Sequence, residues 1–197
     1  MTRAPDLEAK ARLLDRVVDH LAAHGLPNFA LRPLSRALGC STTALVYHLG
    51  SREEILNAAF RRAAEQQVTI REKWLASEPE MSQSDLLRKW WRWMNASPKH
   101  LALMRLGIEA AALEATTSGL EADVRADQIG QWRLNIERRL VAHGLPPERA
   151  RTEATLAKAM YTGLVLDLIA TGDRRRLTKA LEEALGRLDR AIAESRR

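Results

Sequence analysis

Several things are scarce in this sequence. Among 197 residues there are one cysteine, two phenylalanines and two tyrosines. A single cysteine rules out an internal disulfide and suits a reducing cytoplasm, the expected location. No apolar run approaches the eighteen or so residues of a membrane span, so no membrane partner is expected. The opening Met-Thr-Arg-Ala-Pro-Asp carries no apolar leader. Alternating apolar and polar residues, internal repeats and low-complexity tracts are all missing, which argues against strands and solenoids. So are a glycine-rich phosphate loop, a Gly-x-Ser-x-Gly elbow and a His-Glu-x-x-His helix. An enzyme therefore has no positive support, and neither a metal nor an organic cofactor is expected. Of the five histidines only His20 and His24 stand four apart. They fall near a helix C-terminus, where the dipole favours imidazolium, and this reading outweighs a metal site.

What is present is apolar content of 46%, charged content of 28% and a net charge of +6. The first two figures are those of a soluble globular chain. The basic balance is compatible with nucleic acid, although solvated basic faces give the same number.

Helical spacing runs through the whole chain and predicts an all-α fold. Leu14, Val17, Val18 and Leu21 make one stripe of a first helix, Leu7 to His24, with Asp6 as its N-cap and Gly25 closing it. Phe29 is a plug in the following loop, and Pro33 fits the first turn of a second helix. Leu34 and Leu38 then share one helical face, and Leu45 and Leu49 another. Gly39 between them allows a quick reversal, and Ser41 and Thr42 offer hydroxyl caps. Two apolar pairs across a glycine turn predict a helix-turn-helix, the competing reading being an ordinary helical hairpin. Its second helix would present Thr42, Thr43, Tyr47 and His48 outward to a DNA major groove.

Ser51-Arg52-Glu53-Glu54 reads as a capping box that opens a long fourth helix, to about Leu75. Breaks at Ser77 to Ser82, Thr116 to Gly119, Gly144 to Pro147 and Thr171 to Asp173 divide the rest into five more helices. Ser82 or Ser84 caps the fifth and Pro98 opens the sixth. Ile129, Trp132, Ile136 and Leu140 form the stripe of the seventh. The last shows a seam of Leu177, Leu181, Leu185, Leu188 and Ile192.

The run Gly39-Cys40-Ser41-x-x-Ala44-Leu45-x-Tyr47-His48-Leu49-Gly50-Ser51-Arg52-Glu53-Glu54-Ile55-Leu56 resembles the DNA-binding signature of the tetracycline-repressor (TetR) family. That signature is a Gly-Val-Ser turn, then Leu-Tyr-x-His-Phe, then Ser-Lys-Glu. Cys40 stands for the valine, Leu49 for the phenylalanine and Arg52 for the lysine. Val46 occupies the place of the phosphate-contacting tyrosine, and Tyr47, one residue on, is the candidate to replace it. The detailed match covers Leu31 to Leu56, and beyond it only length and helical layout agree.

The resemblance implies a helix-turn-helix DNA-binding domain at 1–52 and a larger ligand-binding and dimerisation domain at 53–197. It implies a repressor that binds a palindromic double-stranded DNA operator as a homodimer and is released by a small apolar effector. Arg32 and Arg52 are expected near phosphates. The last two helices are expected to pair with a second copy through Leu164, Leu168, Leu177, Leu181, Leu185 and Leu188. Trp90, Trp93, Met94, Met104, Trp132, Met160 and Tyr161 are the candidate pocket, against the plainer reading of helix-bundle core. Glu109 and Asp167, charges within apolar runs, either point outward or anchor a ligand. The alternative function is a helical ligand carrier or enzyme that retains a helix-turn-helix-like hairpin.

Overall fold

The computed structural model describes residues 7–116 and 131–195. The expected N-cap Asp6, most of the break at Thr116 to Gly119, and Ile129 lie outside them. The described residues form nine α-helices: α1 Leu7–His24, α2 Leu31–Leu38, α3 Thr42–Leu49, α4 Arg52–Ser77, α5 Gln83–Asn95, α6 Pro98–Thr116, α7 Gln131–Ala142, α8 Pro147–Thr171 and α9 Arg174–Ser195. A short 3₁₀ turn, Leu26–Asn28, follows α1.

Local chemistry sets the boundaries. Ser41 accepts the Ala44 N–H at 3.0 Å and Ser82 accepts that of Asp85 at 3.0 Å, so each caps its helix. At α4 the capping box is complete: the Glu54 carboxylate accepts from Ser51 N–H at 2.7 Å, and Ser51 Oγ accepts from Glu54 N–H at 3.2 Å. These bonds hold the Glu54 carboxyl below its ordinary range. Just before the box, Gly50 has φ 91° and ψ −160°, a region that only glycine occupies comfortably. A Cβ there would also overlap the Glu54 carboxylate. Gly50→Ala is therefore expected to destabilise the protein by about 1–3 kcal/mol, read as a lower thermal midpoint.

Three apolar clusters fill the interior. The first joins Val17, Val18 and Leu21 of α1, Phe29 of the loop after the 3₁₀ turn, Leu34 and Leu38 of α2, Leu45 and Leu49 of α3, and Ile55, Leu56, Phe60 and Ala63 of α4. It also takes Leu103, Leu106 and Ala110 of α6. The core of the N-terminal unit thus continues past residue 52 along α4 and onto α6. The second cluster packs Leu87, Trp91 and Met94 of α5 against Tyr161, Val165 and Leu168 of α8 and Leu177, Leu181 and Leu185 of α9. The third holds Ile136 and Leu140 of α7 with Leu188 and Ile192 of α9.

This packing corrects the expected dimer contacts. Leu168, Leu177, Leu181, Leu185 and Leu188 are buried inside the chain itself, each 5% exposed or less. The leucine seam of α9 finds its partner in α5, α7 and α8 of the same chain, so it is not available to a second copy. Polar ties reinforce it. Trp91 Nε1 donates to Thr178 Oγ1 at 2.9 Å, and Arg88 on α5 reaches Glu182 at 2.8 Å and Asp189 at 3.2 Å on α9. Asp167 is likewise spoken for, by a two-pronged bond from Arg176 at 2.8 and 2.9 Å across the α8–α9 turn.

Among the exposed residues of α8, which include Arg149, Arg151, Thr152 and Thr155 near its start, Leu156, Ala159, Gly163, Leu166 and Ala170 form an uncharged stripe spaced 3, 4, 3 and 4. Leu156 is 58% and Leu166 48% exposed. α8 is also the one described helix long and apolar enough, by length and composition, to cross a membrane. Its inner stripe of Ala150, Ala154, Ala157, Tyr161, Val165 and Leu168 is buried in the bundle.

Candidate nucleic-acid interface and effector cavity

α2 and α3 are held as one rigid unit. Gly39 takes the left-handed conformation, φ 70° and ψ 30°, and its N–H returns to α2. Cys40 N–H bonds the Ser35 carbonyl at 3.0 Å, while Cys40 itself packs against the first core as a small apolar filler. From α1, Arg16 donates to the Leu38 carbonyl at 2.8 Å and fastens the end of α2. Leu45 and Leu49 are buried, and that fixes which face of α3 looks outward.

That face carries Thr43, Val46, Tyr47 and His48, all exposed; Tyr47 is 83% exposed with its ring edge-on to His48. Thr42 departs from the expectation. It is half-buried, and its hydroxyl hydrogen-bonds that of Ser35 at 3.2 Å, so it braces α2 against α3. Val46 joins the outward face in its place; the helical spacing from Thr43 could have shown this.

Arg32 is exposed in the first turn of α2, and among the described residues its guanidinium has no ion-pair partner. The α2 N-cap, Ala30, makes no side-chain capping bond. Its leading N–H groups thus stand beside Arg32, a combination suited to phosphate. Arg52 opens α4 with its guanidinium 5.1 Å above the Phe29 ring and 3.8 Å from Glu53. Arg36, one turn after Arg32 and also exposed, adds a cation the sequence reading passed over. A signal for it exists: from His20 to Arg52 the sequence has no Asp or Glu, yet holds Arg32, Arg36 and Arg52. An acid-free arginine stretch on one small unit gives a positive surface.

The second site is a cavity of about 120 Å³ between α4, α5, α6 and α7. Trp90, Met104 and Trp132 line it, as expected, together with Val68, Leu86 and Leu87. The other four candidates lie elsewhere. Met94 and Tyr161 are fully buried core, Tyr161 between the edges of Trp91 and Trp132. Trp93 turns away, stacked on His100 at 4.0 Å, into a cleft against α1. Met160 sits in the outer groove between α8 and α9. Trp90 and Trp93, three residues apart, share one side of α5 and stack at 4.9 Å, so Trp90 meets the cavity and Trp93 lies behind it, while Trp91, 100° further round the helix, enters the core. The polar part of the lining, Gln67, Arg71, Gln83, Gln131 and Asn135, was not foreseen. Among the described residues no three His, Cys, Asp or Glu side chains come together as a metal site.

The cavity and the reading unit share two elements. α4 lines the cavity with Ala64, Gln67, Val68 and Arg71, and α6 with Met104. On α6, Glu109 accepts the Leu26 N–H at 3.1 Å, Arg105 donates to the Ala22 carbonyl at 2.6 Å, and Lys99 pairs with Asp19 at 2.8 Å. On α4, Arg62 grips Asp15 of α1 at 2.7 and 3.1 Å. That bond holds the Asp15 carboxyl below its ordinary range, so the tie is complete above about pH 4 and is lost as pH falls further. Glu109, one of the two charges in apolar runs, is thus a fastener between the reading unit and α6, not a ligand anchor.

No family model matches the sequence, and no curated protein matches it. Solved structures do match in shape. A putative TetR-family transcriptional regulator from Rhodococcus sp. superposes with a TM-score of 0.72 at 19% identity, over 94% of this chain and 99% of that one. A TetR transcriptional regulator from Legionella pneumophila gives 0.74 at 14% identity, over 95% and 99%. The multidrug binding protein EbrR, complexed with imidazole, gives 0.61 at 18% identity, over 92% and 90%. From the helix-turn-helix through α9, the chain has the fold of the TetR-family transcriptional regulators.

Proposed function

We propose that the chain is a ligand-responsive DNA-binding transcriptional regulator, a repressor that holds a palindromic operator as a homodimer and releases it when a small molecule enters the cavity. The observation that carries this reading is the α3 face of Thr43, Val46, Tyr47 and His48. It is exposed, does nothing for the chain's own packing, and stands on a rigid unit beside Arg32, Arg36 and Arg52. Residues 1–52 are the reading head in this account, and 53–197 the effector and dimerisation domain. The likeness to regulators of the same fold supports it.

The homodimer is proposed through the outer stripe of α8. Leu156, Ala159, Gly163, Leu166 and Ala170 bear no charge, and a Cβ at Gly163 would meet nothing within 4 Å, so a second helix could approach closely. Beside the stripe runs a groove lined by Leu156, Met160 and Ala184. The reading requires that a two-fold pairing of this face set two α3 helices on successive turns of one DNA face.

Release follows from α4 and α6, each of which touches both the cavity and the reading head. A ligand can shift operator affinity only by its preference between two arrangements of the dimer, on a usual scale of about 5- to 150-fold. A band-shift titration on DNA flanking the chain's own gene tests the proposal. Retention of one fragment against competitor DNA, weakened in Arg32→Ala, is the expected result. Binding to no fragment would favour the ligand-carrier alternative, which needs the cavity alone.

A further inference from the structure

The cavity is aromatic and apolar on most of its wall, yet it holds an arginine that the fold does not use. Arg71 on α4 is half-buried and, among the described residues, has neither a hydrogen bond nor an ion pair. The acid whose charge reaches it is its chain neighbour, Glu72. Burial pushes its guanidinium below the ordinary value. Arg139 on α7 is near enough that the Arg71 charge pushes it down as well, after its own burial. Arg139 spends its donors on neutral acceptors, Gln83 Oε1 at 3.0 Å and the Met81 carbonyl at 2.5 Å. Among the described residues neither guanidinium is ion-paired with a carboxylate, and burying charge without such a partner costs stability in the empty protein.

The rest of the lining points the same way. With its carboxamide oxygen held by Arg139, Gln83 has its NH₂ group left to donate, and Gln83 is 1% exposed. Gln67, Gln131 and Asn135 add amides, and among the described residues no Asp or Glu lines the cavity. Cations and amide donors with no acid make a site for a negative charge. Trp90, Trp132, Met104 and Leu87 make the remainder a site for an apolar body. At about 120 Å³ the space is close to that of an engineered cavity of about 150 Å³ that admits benzene, so the apolar body is one ring or its equivalent.

We propose that this cavity takes a small monocarboxylate with a single ring or a comparably short apolar chain, its carboxylate on Arg71 and Gln83 and its body against Trp90, Met104 and Trp132. This deepens the effector reading and rests on it for any consequence at DNA; the binding itself needs no DNA.

The experiment titrates the full chain, without DNA, with benzoate, phenylacetate and hexanoate, each against its own carboxamide, by calorimetry and tryptophan emission. At least one acid should bind about 10- to 100-fold more tightly than its amide, the scale of a hydrogen bond to a charged group. Arg71→Gln should abolish that preference, Arg71→Lys should keep part of it, and Gln83→Leu should weaken it. Arg71→Met should melt higher than the parent in the absence of any acid. Equal binding of acid and amide, an undiminished preference in Arg71→Gln, or no binding by any of the three acids overturns the proposal. Should Arg71→Gln not fold, Gln83→Leu and the acid-to-amide ratio of the parent decide it. An acid that binds and leaves DNA affinity unchanged upholds the carboxylate site and removes its role as effector.

Discussion

Leu156→Glu with Leu166→Glu should turn a dimer into a folded monomer and lower operator affinity by about 10²- to 10⁴-fold. The magnitude comes from effective concentration. When two heads are joined, the second half-site is bound within one complex, and that advantage vanishes once the heads separate. The two leucines are 58% and 48% exposed, so the substitutions place carboxylates in water within a single chain and leave its core intact. Between two copies they would place like charges face to face in an apolar seam. Light scattering should show half the parent's mass, and circular dichroism an unchanged helical signal. Leu181→Glu is the contrast. Leu181 is 1% exposed, so the charge would be buried against α5 and α8, and the chain should fail to fold. A parent that is already monomeric at micromolar concentration would contradict the dimer, as would a double variant that keeps the parent's mass.

The second large effect is expected at the reading head, where two kinds of residue should separate. On the proposed reading, Arg32→Ala and Arg52→Ala would each remove a phosphate contact. Each should weaken binding similarly on every sequence and flatten the salt dependence by about one charge. Arg52 should lose less than Arg32, because its guanidinium is partly engaged with Phe29 and Glu53. Thr43→Ala and Tyr47→Ala would on the same reading remove contacts to base edges and should instead change which sequence is preferred, by about 1–3 kcal/mol at the affected position. Thr42→Ala should act through stability, since its hydroxyl is bonded to Ser35. Competition band shifts at several salt concentrations separate these patterns. If Arg32→Ala altered base preference while Tyr47→Ala lowered all affinities equally, the assignment of the faces would be wrong.

The head was legible in the sequence because its signals are local. Gly39, Ser41 and the Ser51–Glu54 box each act on backbone within four residues, so identity and spacing suffice to place the helices. The leucine seam of α9 was misread for a different reason. A stripe spaced 4, 4, 3 and 4 says that a face is covered, not whether this chain or another covers it. Here α5 does so, with Trp91 bonded to Thr178 and Arg88 to Glu182 and Asp189. The true outward stripe was hidden by its small residues, Ala159, Gly163 and Ala170, which carry little hydropathy. At the cavity the large rings were visible, but three of Trp90, Trp91, Trp93 and Met94 point elsewhere. Arg71 and Gln67 belong to no motif and to no apolar stripe of α4; only the fold brings α5 and α7 over them.

Selection from a random double-stranded pool tests most directly whether the α3 faces of two copies read DNA. The full chain should enrich a two-fold symmetric motif whose half-sites are centred about 10 base pairs, or a multiple, apart. Tyr47→Ala should shift the bases chosen within each half-site while the spacing stays the same. Recovery of unenriched DNA by the parent, or of a motif that Tyr47→Ala and Thr43→Ala leave untouched, would contradict it.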